Sequence, residues 1–396
     1  MKLRPGTAHE AGMDPERVAR LRKRLEGWAP RLSALELVAT RRGVVFLHET
    51  FGRLRPESDA PPLTKDGLWN IMSVSKAFTA TAVMMLVEDG LVDIHRPVEF
   101  YLPEFSGEGK LPVSLYHLLT HTSGLEDNAI DFNRSLLDLL PVRTPEPTEH
   151  PAVSRYLTLA LRVPLSYAPG SQHVYASANY DLLLEIVRRV SGQAPADFLR
   201  GRLFAPLGMH RSHLGLPKEL ASQRVVWPRQ TIPSSLPWTS DAPKRVSIHD
   251  TELVPWGGAG VISTGADLAA FGQTFLNGGR YGDARVLARS TVALMTRNHT
   301  PGLKGSIAGH SRDEMSVGYG WFIQHPMKFP FLGGALGSPG SYSHGGWGGS
   351  LLWVDPVQEM VLVFLSTQHD VWIPARFPAW EADLFVNAAT SAVADE

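Results

Sequence analysis

Strand-forming runs gathered at the two ends of the chain, with helices and long Pro- and Gly-rich loops between them, predict an α+β fold. One antiparallel β-sheet is expected to assemble from the two termini and to be flanked by an N-terminal and a C-terminal helix. A mostly helical region is then inserted in the middle. The chain of 396 residues is long enough for one large domain or two, and its 43% hydrophobic and 19% charged content is that of a globular protein. The expected division is residues 1–72 and 290–396 as a discontinuous sheet domain and residues 73–289 as the helical one, with the functional site in the cleft between them.

Each element has a local reason. Asp14-Pro15-Glu16 reads as a helix start, with a capping carboxylate and proline at the first helical position. Val18, Leu21, Leu25 and Trp28 follow at helical spacing. Leu35–Thr40 and Val44–His48 read as two strands of a hairpin turning at Arg41-Arg42-Gly43. A proline-rich loop from Arg55 to Thr64 leads into a helix expected over Ser73–Glu88, which Gly90 ends. Helices are expected at Ser114–Thr120, Ser177–Ser191, Ala194–Leu203, Thr264–Leu276 and Ser290–Arg297. Between them, Arg143–Pro151 and Pro228–Pro243 are the loosest stretches. Strand-like runs return at Gly318–Gln324, Ser341–His344, Gly349–Val354 and Met360–Thr367. A last helix, about Pro374–Thr390, carries Phe377, Trp380, Leu384 and Phe385.

Composition narrows the chemistry. A net charge of −1 gives no electrostatic footprint for nucleic acid. The absence of cysteine excludes disulfides, thiolate catalysis and Cys-ligated metals. The N-terminus has no apolar core of signal-peptide length and no run reaches membrane-spanning length, so a cytoplasmic enzyme acting on a small molecule is expected.

The chemistry-bearing stretch is Trp69-Asn70-Ile71-Met72-Ser73-Val74-Ser75-Lys76-Ala77-Phe78-Thr79. Ser73 and Lys76, three apart, share one face if Ser73 opens a helix. A serine hydroxyl needs a base beside it, and a lysine serves as one when burial lowers its pKa. The apolar neighbours Ile71, Met72, Val74, Ala77 and Phe78 supply that burial. The pattern arises about once or twice by chance in a chain of this length, so Ser73–Lys76 alone also fits a capping serine and a solvated lysine.

Two further clusters stand out. Tyr175 lies in Val174-Tyr175-Ala176-Ser177, just ahead of a helix, where a phenol can relay protons or simply pack. Ser343-His344-Gly345-Gly346-Trp347-Gly348-Gly349-Ser350 puts four glycines beside a strand, a pattern of close backbone approach or of a bulged strand. His117 and His121 have a spacing used by some zinc sites, yet Thr122-Ser123-Gly124 follows at once. A helix C-terminus accounts for the pair, and neither a metal nor another cofactor is expected. Asn133-Arg134-Ser135 and Asn298-His299-Thr300 match glycosylation sequons without a secretory context.

In order and spacing, these stretches resemble the serine β-lactamase and penicillin-binding-protein-like superfamily, above all its class C-like branch with the family VIII carboxylesterases. Ser73-Val74-Ser75-Lys76 matches Ser-x-x-Lys. Leu119-Thr120-His121-Thr122-Ser123-Gly124-Leu125 matches a segment common in that branch. Tyr175-Ala176-Ser177 falls at the Tyr-x-Asn motif, and His344-Gly345-Gly346 at Lys-Thr-Gly or His-x-Gly. Phe204–Met209 and Gly257–Thr264 are also similar, so the likeness runs from about residue 10 to 370.

The resemblance implies that Ser73 is an acyl-accepting nucleophile and that Lys76 and Tyr175 move its proton, with either able to be the base. It implies an oxyanion hole from the N–H groups of Ser73 and Trp347, and substrate contacts at Ser177, His344, Gly345 and Gly346. Two departures matter. Ser177 replaces an amide side chain, with Asn179 two residues off register, and His344 replaces a lysine that helps hold a substrate carboxylate. Trp347, with Trp256 and Trp353, suits an apolar acyl or alcohol group. The expectation is therefore a serine hydrolase, foremost a carboxylesterase on small esters. A β-lactamase or D-amino-acid peptidase or amidase is the alternative within the superfamily. A non-catalytic ligand-sensing domain is the alternative of another class.

Overall fold

Leu35, Leu37 and Ala39 alternate with Glu36, Val38 and Thr40, and all six are buried, so this strand has a covered surface on both sides. It is the third strand of a seven-stranded sheet in a computed structural model that describes residues 1–132, 145–146, 148–228, 254–307, 310–324, 333–367 and 381–394. Across the sheet the order is Arg4–Pro5, Val44–Gly52, Ala34–Arg41, Met360–Ser366, Ser350–Asp355, Tyr342–Gly346 and Phe322–Ile323. All neighbours are antiparallel except the first pair, where Arg4 lies beside Val44 in parallel. The two chain ends meet at the centre, with Val38 opposite Val363 and Leu37 opposite Phe364. The hairpin turns on Arg42 and Gly43, both at positive φ, the geometry that matches the twist of its strands.

The alternation sorts side chains onto two faces. Leu35, Leu37, Trp353, Leu362 and Phe364 pack with Val18, Leu21 and Leu25 of the Pro15–Trp28 helix and with Phe385 and Val386 of the Glu381–Thr390 helix. Asp14 caps the first of these helices by accepting from the amides of Glu16 and Arg17. Val38, Leu352, Val354, Val361 and Val363 face Leu268, Phe271 and Phe275 of the Gly265–Leu276 helix. Each such side chain contributes about 1.5–3 kcal/mol on burial. Because Gly265–Leu276 lies on the sheet, the expected boundary at residue 290 falls beyond a helix already packed there.

The helix Ser75–Glu88 is buried on every side from Ser75 to Leu86, so it is an interior helix rather than an amphipathic one. It packs on Ala178–Ser191, which in turn carries Leu115–Leu119 and Pro151–Ala160. No described helix is long and apolar enough to cross a membrane.

Several expected elements are shorter or differently built. Of Gly318–Gln324 only Phe322–Ile323 is paired, because Gly318 and Trp321 close a turn with Gly320 at positive φ. Ser73 lies in a separate 3₁₀ turn, Met72–Val74, ahead of the α-helix. The Ala194–Leu203 segment is an α-helix only over Pro195–Leu199 and then widens into a π turn through Phe204. Phe377 and Trp380, the sequon at Asn133, residues 143, 144 and 147 of one loop and 229–243 of the other lie outside the described residues.

Candidate active site

Ser73 is placed by a strained turn. Met72, immediately before it, has φ of 50°, a left-handed conformation that a non-glycine residue adopts only under constraint. The constraint is local: the Met72 amide donates to Asn70 Oδ1 at 2.8 Å, and the Val74 amide to the Ile71 carbonyl. Ser73 is half-buried while both its neighbours are buried, so its hydroxyl is the part of this turn that solvent reaches.

One turn further on, Lys76 is fully buried. Its Nζ donates to Ser73 Oγ at 3.2 Å, to Ser177 Oγ at 3.3 Å and to the Gly258 carbonyl at 2.8 Å. Burial lowers its pKa from 10.5 to about 8, and the carboxylates of Asp127 and Asp181 partly oppose that. Three acceptors match the three protons of an ammonium. Two of them are hydroxyls, which also donate, so a neutral amine at the same position accepts a proton from Ser73 while still donating to Gly258. The site thus holds lysine in either charge state, which is what a base must allow.

The Tyr175 ring lies 4.7 Å from Lys76 Nζ, on the same side as Ser73. Burial raises the phenol well above its ordinary value, and the nearby Ser73 hydroxyl acts the other way. At neutral pH it is a proton donor, not a phenolate.

The third wall is the end of the Tyr342–Gly346 strand. A side chain at Gly346 would collide with the Ile71 carbonyl and with Ser350 Oγ, so only glycine lets this strand approach the Ser73 turn. Ser350 Oγ donates to that Ile71 carbonyl at 2.9 Å and staples the two segments together. Trp347 follows at once, in a tight turn closed by the Gly349 amide on the Gly346 carbonyl. His344 is buried beside Phe322 (ring centroids 5.2 Å apart) and Tyr175 (6.2 Å), and its Nδ1 donates to the Gly345 carbonyl at 2.7 Å. Burial, with the Lys76 charge second, pushes its pKa down to about 3, so His344 is neutral at physiological pH.

Ser73, Lys76, Tyr175, Ser177 and His344 are thus brought together, and Gly345, Gly346 and Trp347 stand beside them. Asn179 is not in the site. It is fully buried, accepting from Ser123 Oγ at 2.6 Å and facing His121 Nδ1 at 3.3 Å. Trp353 is also elsewhere, since its position in the strand turns it into the core on the far face of the sheet. Trp256 is half-buried, edge-on to Tyr156 at 5.4 Å, at the start of the turn that supplies Gly258.

The histidine pair divides. His117 closes a capping box with Ser114, accepting from its amide at 3.0 Å at the N-terminal end of the helix rather than meeting the last carbonyls. His121, at φ of 56°, accepts the Ala176 amide on Nδ1 and the Val174 amide on its carbonyl, and stacks on Tyr175 at 4.5 Å. It therefore grips the chain on both sides of Tyr175. Among the described residues no group of three or more His, Asp or Glu side chains is placed to hold a metal ion.

Five contributors were missed in the sequence. Asn70 holds the strained turn. Asp127, not Ser177, caps the Ala178–Ser191 helix, accepting from the Ser177 and Ala178 amides at 2.8 and 3.0 Å. Asp181 and the Gly258 carbonyl complete the surroundings of Lys76. Trp227 donates to the Gly348 carbonyl at 3.3 Å and backs the Trp347 turn. Asp181 carried a signal: it stands one helical turn from Ser177, on the same face.

A sheet built from both termini, with a serine meeting a buried lysine at the start of an interior helix, places the molecule among the serine hydrolases. Residues 18–385 match the family model described as Beta-lactamase, and the chain belongs to that family. Two solved structures share the fold. One is a penicillin-binding protein homologue from Caulobacter crescentus, with a TM-score of 0.74 at 21% identity, covering 96% of this chain and 98% of that one. The other is a family VIII carboxylesterase, with a TM-score of 0.69 at 20% identity, covering 89% and 92%. A protein of Salmonella enteritidis PT4 (strain P125109) named as a D-alanyl-D-alanine carboxypeptidase is 23% identical over 409 residues, 96% of this chain and 88% of its own length.

Proposed function

We propose that the protein is a carboxylesterase that cleaves small uncharged esters through an acyl-Ser73 intermediate. The observation that carries this reading is His344, a buried and neutral imidazole where recognition of a substrate carboxylate calls for a cation. Ser177 supports it, since a short hydroxyl turned to Lys76 stands where a side-chain amide grips peptide-like substrates. A D-alanyl peptide or a penicillin carries such a carboxylate, and a simple ester does not.

In this mechanism Ser73 Oγ forms a bond to the ester carbonyl carbon as its proton passes to the amine of Lys76. The opposite directions in which burial moves the two groups favour Lys76 as base and Tyr175 as proton carrier. The carbonyl oxygen gains the negative charge and is met by the amides of Ser73 and Trp347. The C–O bond to the alcohol then breaks as Tyr175 delivers a proton to the leaving oxygen and is reprotonated from Lys76. Water repeats the sequence on the acyl-enzyme and frees the acid and Ser73.

The test is turnover of p-nitrophenyl acetate and butyrate beside nitrocefin and a D-alanine p-nitroanilide. Hydrolysis of the esters, lost in Ser73→Ala, is expected. Turnover of nitrocefin or the anilide alone overturns the ester reading. No turnover, with Ser73 unlabelled by a fluorophosphonate, leaves a non-catalytic ligand-sensing domain.

A further inference from the structure

Among the described residues Lys76 touches no carboxylate, yet two stand close enough to act on it. Asp127 spends both its oxygens on the amides that open the Ala178–Ser191 helix. Asp181 is placed differently. It is buried, and its Oδ1 accepts from the Gly258 amide at 3.1 Å. Gly258 also supplies the carbonyl that receives Lys76 Nζ, and Thr79 Oγ1 donates to the Gly257 carbonyl at 2.8 Å. One short turn therefore holds the amine on one side and the carboxylate on the other. A side chain at Gly257 would collide with the Tyr180 carbonyl, so the turn is pressed against the helix that carries Asp181.

Asp181 also forms part of the wall of a cavity of about 240 Å³ between the Pro151–Ala160 and Ala178–Ser191 helices, together with Glu149, His150, Leu184 and Arg188. The described residues lining this cavity include none of Ser73, Tyr175 or His344.

We propose that Asp181 is a positioning residue for the amine: gripping the Gly257–Gly258 turn and placing a negative charge behind it, it governs the proton on Lys76. This rests on the reading of Lys76 as the base. The groups facing the amine are Asp127, Asp181, Tyr175, Tyr180, His121 and His344. Those around Asp181 are Lys76 and Asp127, with Glu149 and His150 also lining the cavity and Glu185 and Arg188 further along its own helix. Among the described residues, only the two aspartates bring negative charge toward Lys76. Burial raises Asp181 and lowers Lys76, so the titrations of the two groups are linked.

The sign is definite. An ionised Asp181 favours the ammonium and withholds the free amine. Asp181→Asn keeps an acceptor for the Gly258 amide and removes the charge. The acid limb of kcat/KM for p-nitrophenyl butyrate then moves about one pH unit toward acid, roughly a tenfold gain at a fixed pH on the limb, with the change in kcat rather than KM. Thr79→Val is the control, since it cuts a bond to the same turn without altering charge. An unmoved limb in folded Asp181→Asn, or an equal shift in Thr79→Val, overturns the proposal. If Asp181→Asn gives no cooperative melt, the wild-type protein decides. In protein labelled at lysine ¹³Cε, the Lys76 resonance, identified by its loss in Lys76→Met, is expected to titrate in two steps, and a single step overturns the proposal. Failure of the ester reading shows separately, as no ester turnover and no labelling of Ser73, and the ¹³Cε titration still stands as the test.

Discussion

Glu36 and Lys76 are both completely buried, and they are held in opposite ways. Glu36 lies in the sheet with every partner a donor: Trp69 Nε1 at 2.7 Å, His48 Nε2 at 2.9 Å and the Gly265 amide at 3.1 Å. Those bonds join the second strand of the hairpin, the strand before Ser73 and the first turn of the Gly265–Leu276 helix. Burial raises its pKa, and the donors counter that by favouring the carboxylate. Lys76 is held by two hydroxyls and one carbonyl, none of them charged, beside a half-exposed serine. Glu36 has partners that suit one protonation state. Lys76 has partners that suit two. A fully matched buried charge is a fastener, and a charge that can be surrendered without leaving a bond unmade is a reagent.

The largest effect that tests this contrast is on turnover. Lys76→Ala is expected to lower kcat for p-nitrophenyl butyrate by about a thousandfold or more, as removal of one member of a catalytic unit does. Near-normal turnover would remove Lys76 from the mechanism. Stability should scarcely follow. In Lys76→Met, relief from burying an ammonium offsets the lost hydrogen bonds, and urea unfolding is expected to change by no more than about 1 kcal/mol.

Glu36→Ala is expected to behave in reverse. It leaves buried donors without their acceptor and costs about 3–5 kcal/mol in urea unfolding, while turnover per folded molecule stays within a few-fold of wild type. A loss below about 1 kcal/mol would mean that the network is not a fastener.

Acid sharpens the comparison at the site. Burial lowers His173 from 6.5 to about 4 and His344 to about 3. Between those values and 6.5 the unfolded chain binds more protons than the folded one. Stability from these neutral rings is therefore complete above pH 6.5 and is lost as pH falls toward 4 and then 3, by a few kcal/mol in all. His173→Phe should flatten part of that slope in thermal melts at pH 4 to 7. An unchanged slope would place the acid sensitivity elsewhere.

The smallest effect concerns Ser177, one acceptor of three. Ser177→Ala is expected to lower kcat/KM by about three- to tenfold, the equivalent of one ordinary hydrogen bond. A loss as large as that of Lys76→Ala would make Ser177 part of the proton path.

Much of the fold was legible because its signals are local. Asp14-Pro15 capped a helix, Arg42-Gly43 turned a hairpin, and the apolar runs at 350–366 paired as strands. The failures were also local in origin. Gly318–Gln324 has strand composition, yet a turn at Gly320 leaves two residues to pair. Trp353 looked near the site in sequence but points to the opposite face, because its neighbours in the strand alternate. Asn179 looked like a displaced substrate contact, but Ser123 and His121 occupy it.

By itself, the sequence determined the sheet-forming ends, the helical middle and a serine, a lysine and a tyrosine as the candidate site, because propensity and motif spacing act over a few residues. Only the tertiary structure decided what those groups can do. Whether a lysine is a base depends on how thoroughly water is excluded and which atoms replace it. For Lys76 those atoms come from residues 73, 177 and 258, while the charges behind it come from 127 and 181. No local pattern brings such distant residues together. Packing the two chain ends into one sheet against the interior helix does.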